Sequence, residues 1–484
     1  MKNIIDSIYD VLWGPWMIYG ILLVGLVFTI LTKGVQVRFL KDMFGQIFHG
    51  EKSEAGVSSF QAMSMALSGR IGTGNIAGTA TAIAFGGPGA VFWMWVTAFI
   101  GSATAYVEST LAQIYKEEKN GQYRGGPAYY IHKFTGKKWL GMIFAVAALV
   151  AMTLLQPTVQ SNAIADAMNN AFDIPHWVSG LFVCLILGTI IVGGVKRIAN
   201  AASIIVPFMA IGYILVAAII IIINIDKVPD IFALIFRSAF GAEQMFSGML
   251  GAAIAWGVKR GIYANEAGQG TGPHSAAAAE VSHPVKQGLV QAASVYLDTF
   301  LVCTATALMI LFTGMFNVQL DDGAGKFIVE NIPGIDAGTA YTQAAVDAAF
   351  PIGGFGAAFV AIALFFFAFT TTMAYYYIAE TNVAFIFDGK KQKIAIRVVQ
   401  LLIIIATYFG AVRTSKSAWT LGDIGLGIMV WVNVISLVFL VKPTLIALKD
   451  YEQQKKDGKD PQFNPEKLGI KNADFWEEKN KGKN

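Results

Sequence analysis

The sequence predicts an all-α polytopic membrane protein of about eleven transmembrane helices, and composition, apolar run length and glycine use all point there. Of its 484 residues 55% are hydrophobic and 14% charged, with a mean hydropathy of +0.55; a soluble globular chain is ~25% charged. Long apolar runs recur from Met17 to Val441, and ~20 such residues rising ~1.5 Å each cross a hydrocarbon layer of ~30 Å. The 50 Gly and 14 Pro would weaken soluble helices but serve close packing and deliberate breaks in membrane ones. A soluble enzyme is therefore excluded, leaving transporter, channel or membrane enzyme.

The apolar runs place spans at about 14–33, 58–84, 88–115, 138–158, 176–194, 198–224, 241–265, 285–314, 353–379, 394–412 and 418–442. With the N-terminus outside, the segments assigned to the cytoplasm hold 29 of the 36 Lys and Arg, so the positive-inside bias predicts N-out, C-in. No cleavable signal peptide is expected at Met1–Asp10, which carries two acids and one lysine. Segment 35–48, with Val35, Phe39, Phe44, Ile47 and Phe48 among polar residues, predicts an interfacial helix, and 231–240 does the same opposite. The chain after Lys449 reads as a solvated cytoplasmic tail with one short amphipathic helix around Phe463–Trp476.

Cys184 and Cys303 lie in apolar runs, and the five His show no ligand spacing, so neither a disulfide framework nor a zinc site is expected. The spans divide into an extra helix and interfacial segment (1–57), five spans (58–224), five more (225–443) and the tail (444–484). Because five is odd, a second copy enters the membrane from the opposite side, an inverted repeat. The first span of each half is glycine-interrupted: Gly69, Gly72, Gly74 and Gly78, then Gly248, Gly251, Gly257 and Gly261. Lipid cannot satisfy a broken backbone, so paired breaks mark a midplane site where exposed N–H groups suit a carboxylate and exposed C=O groups a cation. Close helix packing is the competing explanation for any one of these glycines.

Several blocks carry a family resemblance: Gly72-Thr73-Gly74-Asn75-Ile76-Ala77-Gly78, Gly86-Gly87-Pro88-Gly89-Ala90, Gly125-Gly126-Pro127-Ala128-Tyr129-Tyr130, Gly257-Val258-Lys259-Arg260-Gly261, Asn265-Glu266-Ala267-Gly268 and Asp298-Thr299-Phe300. Over about residues 10–450 the chain resembles the alanine or glycine:cation symporters, the sodium:alanine symporter family. That resemblance implies a LeuT-type 5+5 inverted repeat with one extra N-terminal helix. It also implies that the backbone at Thr73 and Gly74 holds a substrate carboxylate, with Asn75 contacting ion or substrate. For sodium it implies hydroxyls of Thr370 and Thr371 with the carbonyls of Ser68 and Ile71, against the bland reading that such threonines bond their own helix. Gln160-Ser161-Asn162 matches a family element, so Gln160 and Asn162 are substrate candidates, weighed against helix capping or interhelical bonding.

Trp256, just before Gly257, is a candidate pocket wall, against ordinary packing. Asp298 and Glu108 lie inside apolar spans, where an ionisable group costs ~3 kcal/mol or more, so each is a coupling or gating candidate. A buried pair with Arg70, Lys259 or Arg260 competes for Asp298, and gate structure for Glu108. Arg70 stands where some relatives have a small residue, which leaves its role between gate and ion pair.

The expectation is secondary active symport of a small neutral amino acid, alanine or glycine, with sodium by alternating access in a bacterial plasma membrane. Proton coupling is the alternative, and a channel-like permease stands further behind. No phosphate-loop motif or His-Glu-x-x-His motif is present, so neither an ATP-driven pump nor a membrane metallohydrolase is expected. Neither nucleic acid nor an obligate protein partner is implied; the partners are the amino acid and the lipid bilayer.

Overall fold

A computed structural model describes residues 2–48, 53–320, 325–413 and 415–482. Eight helical segments among the described residues are long and apolar enough to cross a membrane, and they coincide with eight of the eleven expected spans. We label the helices used below α1 (Pro15–Leu31), α2 (Ser59–Arg70), α3 (Thr79–Gly86), α4 (Gly89–Ile114), α5 (Gln156–Phe172), α6 (Gly194–Ile223), α7 (Leu250–Asn265), α8 (Pro284–Tyr296), α9 (Phe355–Ile386), α10 (Gly389–Ala411) and α11 (Ser415–Lys456). The three remaining spans are shorter: 58–84 is split into α2 and α3, 176–194 contracts to His176–Ile191, and 241–265 to α7.

The split between α2 and α3 has a local cause. Helix α2 starts on a capping box in which Ser58 and Gln61 exchange side-chain and backbone bonds, and its helical geometry is lost at Ile71 (ψ 85°). A π-helical turn, Gly74–Gly78, then leads into α3. Further π turns at Ala151–Leu155, just before α5, and Leu297–Cys303, after α8, flank the same region, and π turns often mark functional sites.

The second interruption corrects the expectation. Helix α7 runs unbroken through Gly257 and Gly261, and Gly248 and Gly251 face open space. A Cβ on Gly257 would sit 2.5 Å from the Ala90 carbonyl, and one on Gly261 3.1 Å from Thr97 Cβ. Spaced four apart, this pair lies on one face and lets α7 and α4 touch. The break lies later, where Glu266 (φ 55°), Gly268 (φ 84°) and Gly270 (φ 80°) take left-handed backbone before a short helix, Gly272–Ala278.

Around this centre, α4 packs against α7, α8 and Gly272–Ala278, while α5 packs against α9 and α10. Two two-stranded antiparallel sheets lie in the connections: β1 (Glu117–Lys119) with β2 (Gln122–Arg124), and β3 (Asn317–Gln319) with β4 (Phe327–Glu330). Asp347 accepts from the N–H groups of Gly356 and Ala357 at 2.6 and 3.1 Å, satisfying orphan donors at the start of α9. Segment 35–48 is helical over Val35–Arg38 and Leu40–Phe48, with Met43 and Ile47 buried and Phe44 and Phe48 exposed. The other expected interfacial segment belongs to an amphipathic helix, Val228–Ala239.

The C-terminal segment departs from a solvated tail. Helix α11 runs on past Val441 to Lys456, and the chain beyond folds back onto the protein, burying Phe463, Ile470, Ala473 and Trp476. Its apolar residues, diluted among lysines and acids, escaped a compositional reading.

Candidate functional site

The two helix breaks, the π turn after α8, and facing sides of α5 and α9 meet in one buried centre, where Arg70, Ile71, Thr73, Asn75, Gln156, Gln160, Asp298 and Thr371 are at most 1% exposed. Glycine makes the approach possible: a Cβ on Gly72 would lie 2.5 Å from Thr371 Oγ1, and one on Gly74 2.9 Å from the Tyr263 ring. Two of the backbone donors freed by the first break are already satisfied. Gly72 N–H donates to Asn75 Oδ1 at 2.9 Å, and Thr73 N–H to Gln160 Oε1 at 3.3 Å. Both acceptors are side-chain amide oxygens.

Asn75 joins the first break to the π turn, donating from Nδ2 to Asp298 Oδ1 at 2.6 Å and to Cys303 Sγ at 3.2 Å. Thr299 donates to the other Asp298 oxygen at 2.8 Å. Among the described residues Asp298 makes no ion pair within 4.0 Å; Arg260 instead faces Asp423 at 3.6 Å, under the Trp419 ring. Helix α5 supplies two amides. Gln160 donates to Tyr375 Oη at 3.5 Å, and Gln156 Oε1 accepts from Tyr263 and Tyr375 at 3.1 and 3.4 Å.

The four expected sodium ligands are not brought together. Thr371 Oγ1 lies 3.4 Å from the Ile71 carbonyl, which the break leaves outside the helix ladder. Thr370 is turned toward α6: it bonds the Phe366 and Phe367 carbonyls and lies 3.9 Å from Met209 Sδ. Ser68 Oγ bonds back to Met65 O at 2.7 Å. Neutral oxygens of the Ile71–Thr371 kind suit a hard monovalent cation, whereas no cluster of three or more His, Cys, Asp or Glu placed to hold a metal occurs among the described residues.

Other expected residues sit apart. Asn162 donates to the carbonyls of Gly410 and Arg413, 3.4 and 2.7 Å away, tying α5 to α10. Trp256 stacks on Phe85, at the far end of α3 from the break, and Gly257 serves packing on α4. Glu108 accepts from Gly268 N, Gly270 N and Asn433 Nδ2 at 3.2, 3.2 and 2.8 Å, so it holds the second break in shape. Arg70 donates to the Gln291 carbonyl and side chain at 3.3 Å and to Ser294. Glu266, Glu108 and Asp298 all lie close enough to act on its charge.

Glu266, Tyr263 and Tyr375 were not singled out as site residues from the sequence. Gly268-Gln269-Gly270-Thr271-Gly272, three glycines in five residues, is the signal that would have located the second break and Glu266 with it. Outside the spans, burial pushes the Lys116 amine down to about 7 despite Glu280 nearby. Glu280 is pushed up by burial but held below the usual carboxylate range by hydrogen bonds from Lys479 and Tyr123.

Comparison with known proteins follows this geometry. A family profile described as the sodium:alanine symporter family matches residues 1–465. The chain is 64% identical over 477 residues to a putative sodium/proton-dependent alanine carrier protein of Bacillus subtilis (strain 168), covering 99% of this chain and 98% of that protein. It is 60% identical over 432 residues to a sodium/proton-dependent alanine carrier protein of Bacillus sp. (strain PS3), covering 88% and 95%. In fold it is similar to a crystal structure of the Eremococcus coleocola manganese transporter, with a TM-score of 0.51 at 12% identity, over 86% of this chain and 90% of that one.

Proposed function

Since the chain belongs to the sodium:alanine symporter family, we propose the following account of how it carries alanine across a bacterial plasma membrane with a cation. The observation that carries it is the meeting of two helix breaks in a buried centre of amide, hydroxyl and backbone oxygen groups. The substrate carboxylate displaces Gln160 Oε1 from Thr73 N–H, and the released Gln160 and Gln156 amides, with the Tyr375 hydroxyl, take the ammonium. Amides and hydroxyls do this without a buried charge that would itself need a partner. Tyr263, packed on Gly74 and tilted against Trp419 with ring centroids 5.3 Å apart, walls the centre.

Sodium enters between the Ile71 carbonyl and Thr371 hydroxyl, turning the latter off Phe367 O. One charge moving through 100 mV supplies ~2.3 kcal/mol before any concentration term. The architecture behind this is eleven spans, an extra helix followed by a 5+5 inverted repeat, with the basic end in the cytoplasm. In this topology the buried Arg260–Asp423 pair closes the outer side, although the charge count places Arg260 with the cytoplasmic segments, and Arg70 lies on the inner side with Glu266, whose carboxylate a Cβ on Gly69 would meet at 3.0 Å.

Proteoliposomes given radiolabelled alanine and an inward sodium gradient test the reading. Accumulation above equilibrium is expected, lost when choline replaces sodium and weakened at low sodium in Thr371→Ala; absence of accumulation under any cation gradient overturns it. A proton-coupled second reading rests on Asp298, a buried carboxylate whose side-chain partners are the neutral Asn75 and Thr299. Accumulation that follows a pH gradient without sodium and fails in Asp298→Asn would favour it.

A further inference from the structure

The folded-back C-terminal segment touches both sides of the inner end of the helix assembly. On one side lie α4, α8 and Gly272–Ala278, which pack together; on the other, Pro127–Thr135, which also touches α4, packs on Lys138–Val150, which in turn packs on α9. Trp476, 2% exposed, donates from Nε1 to Gln113 O at 2.8 Å, at the end of α4. Lys479 pairs with Glu280 at 2.5 Å, Lys286 with Asp460 at 2.5 Å, and Phe463 N–H donates to Ser282 O at 3.0 Å, all around the start of α8. Toward the other side, Asp474 pairs with Lys133, and Asn472 donates to the Lys133 carbonyl at 2.7 Å. Lys116 sits in an aromatic cage between them, 4.2 Å from the Tyr123 ring centroid and 4.6 Å from that of Phe475.

These contacts span the seam that alternating access has to open. Gly272–Ala278 meets α9 through the Asn382–His274 bond (3.0 Å) and the Tyr377 hydroxyl on His274 O (3.2 Å). If α4, α8 and Gly272–Ala278 tilt away from α9, the distance from Gln113 and Glu280 to Lys133 changes, and one rigid strap cannot keep both attachments. A segment that only covered one helix end would impose no such constraint.

We propose that residues 457–481 form a strap that locks the inner gate shut and must release one of its two attachments before the carrier opens to the cytoplasm. The strap goes beyond the transport reading but rests on alternating access. Its strength sets how often the inward-open state is visited, because each ion pair or buried ring that must part adds to the cost of opening.

The test is labelling of Ala278→Cys, buried in the inner half of the second broken helix, by a membrane-impermeant thiol reagent from the inner side. The background lacks Cys184 and Cys303, and the full-length protein sits in inside-out vesicles. Trp476→Ala and Lys479→Glu are expected to speed labelling on the order of tenfold. Glu280→Lys alone does the same, and Lys479→Glu with Glu280→Lys returns the slow rate, which guards against a variant that merely misfolds. Unchanged labelling in both the ring and the charge variants, while sodium plus alanine still alters the rate, overturns the strap alone. Labelling that sodium plus alanine leave unchanged in every variant overturns alternating access and the strap with it.

Discussion

Two adjacent threonines on α9 face different partners. Thr370 and Thr371 are indistinguishable as residue types, and the sequence offered both as ion ligands. One step of ~100° around α9 decides between them, sending Thr371 to the first break and Thr370 to Met209. Thr371→Ala is therefore expected to raise the sodium concentration for half-maximal uptake about tenfold or more, the equivalent of ~1.4 kcal/mol. Thr370→Ala, which removes bonds to its own helix and the contact with Met209 Sδ but none to the break, should shift it less than about threefold. Sodium titration of alanine uptake in the two variants checks this; equal shifts would mean that the hydroxyl facing Ile71 is not the one that matters. Asn75 was legible because the Gly-x-Gly-Asn block names it, whereas its partner Asp298 lies 223 positions away, and no spacing rule connects them.

At the scale of elements, glycine clusters look alike in sequence but divide by what approaches them. Gly72 and Gly74 open a helix and admit Thr371 and Tyr263, whereas Gly257 and Gly261 close a helix pair. The second break lies outside the predicted span 241–265, since the interruption begins at Glu266, one residue beyond it. Substitution separates the classes. Gly72→Ala should abolish transport, since its Cβ meets Thr371 Oγ1 at 2.5 Å, while the folded protein persists. Gly257→Ala should cost about 1–3 kcal/mol of stability by overpacking against Ala90. Gly251→Ala, with nothing within 4 Å, should be neutral or stabilise by about 0.4–1 kcal/mol. Thermal unfolding in detergent alongside uptake sorts the three; a Gly251→Ala protein as unstable as Gly257→Ala would contradict the packing account.

For the whole molecule, eight of the eleven expected spans correspond to helices long and apolar enough to cross a membrane, because such helices announce themselves by length and hydropathy. The docked C-terminus was not, since few of its residues are apolar and what buries them is supplied by distant loops. Its electrostatics make a pH prediction. Burial raises Glu280, but hydrogen bonds from Lys479 and Tyr123, and then the charge of Lys116, outweigh it and hold the carboxyl below its usual 4.5. A carboxyl whose value is depressed in the docked state stabilises docking above about pH 4.5, and that contribution is lost as pH falls through the depressed value. Lys116 acts at the opposite end of the scale: an amine pushed down to about 7 by burial strengthens docking as pH rises from about 7 toward 10.5, and adds no slope below pH 6. A fluorophore on Gly482→Cys, in the cysteine-free background, should report a tail that stays docked from pH 7 to about 5 and loosens below about 4.5. In Glu280→Gln the tail should be looser already at pH 7, with the acid-induced step much reduced. An acid step of unchanged size in that variant would show that other carboxylates, not Glu280, hold the strap.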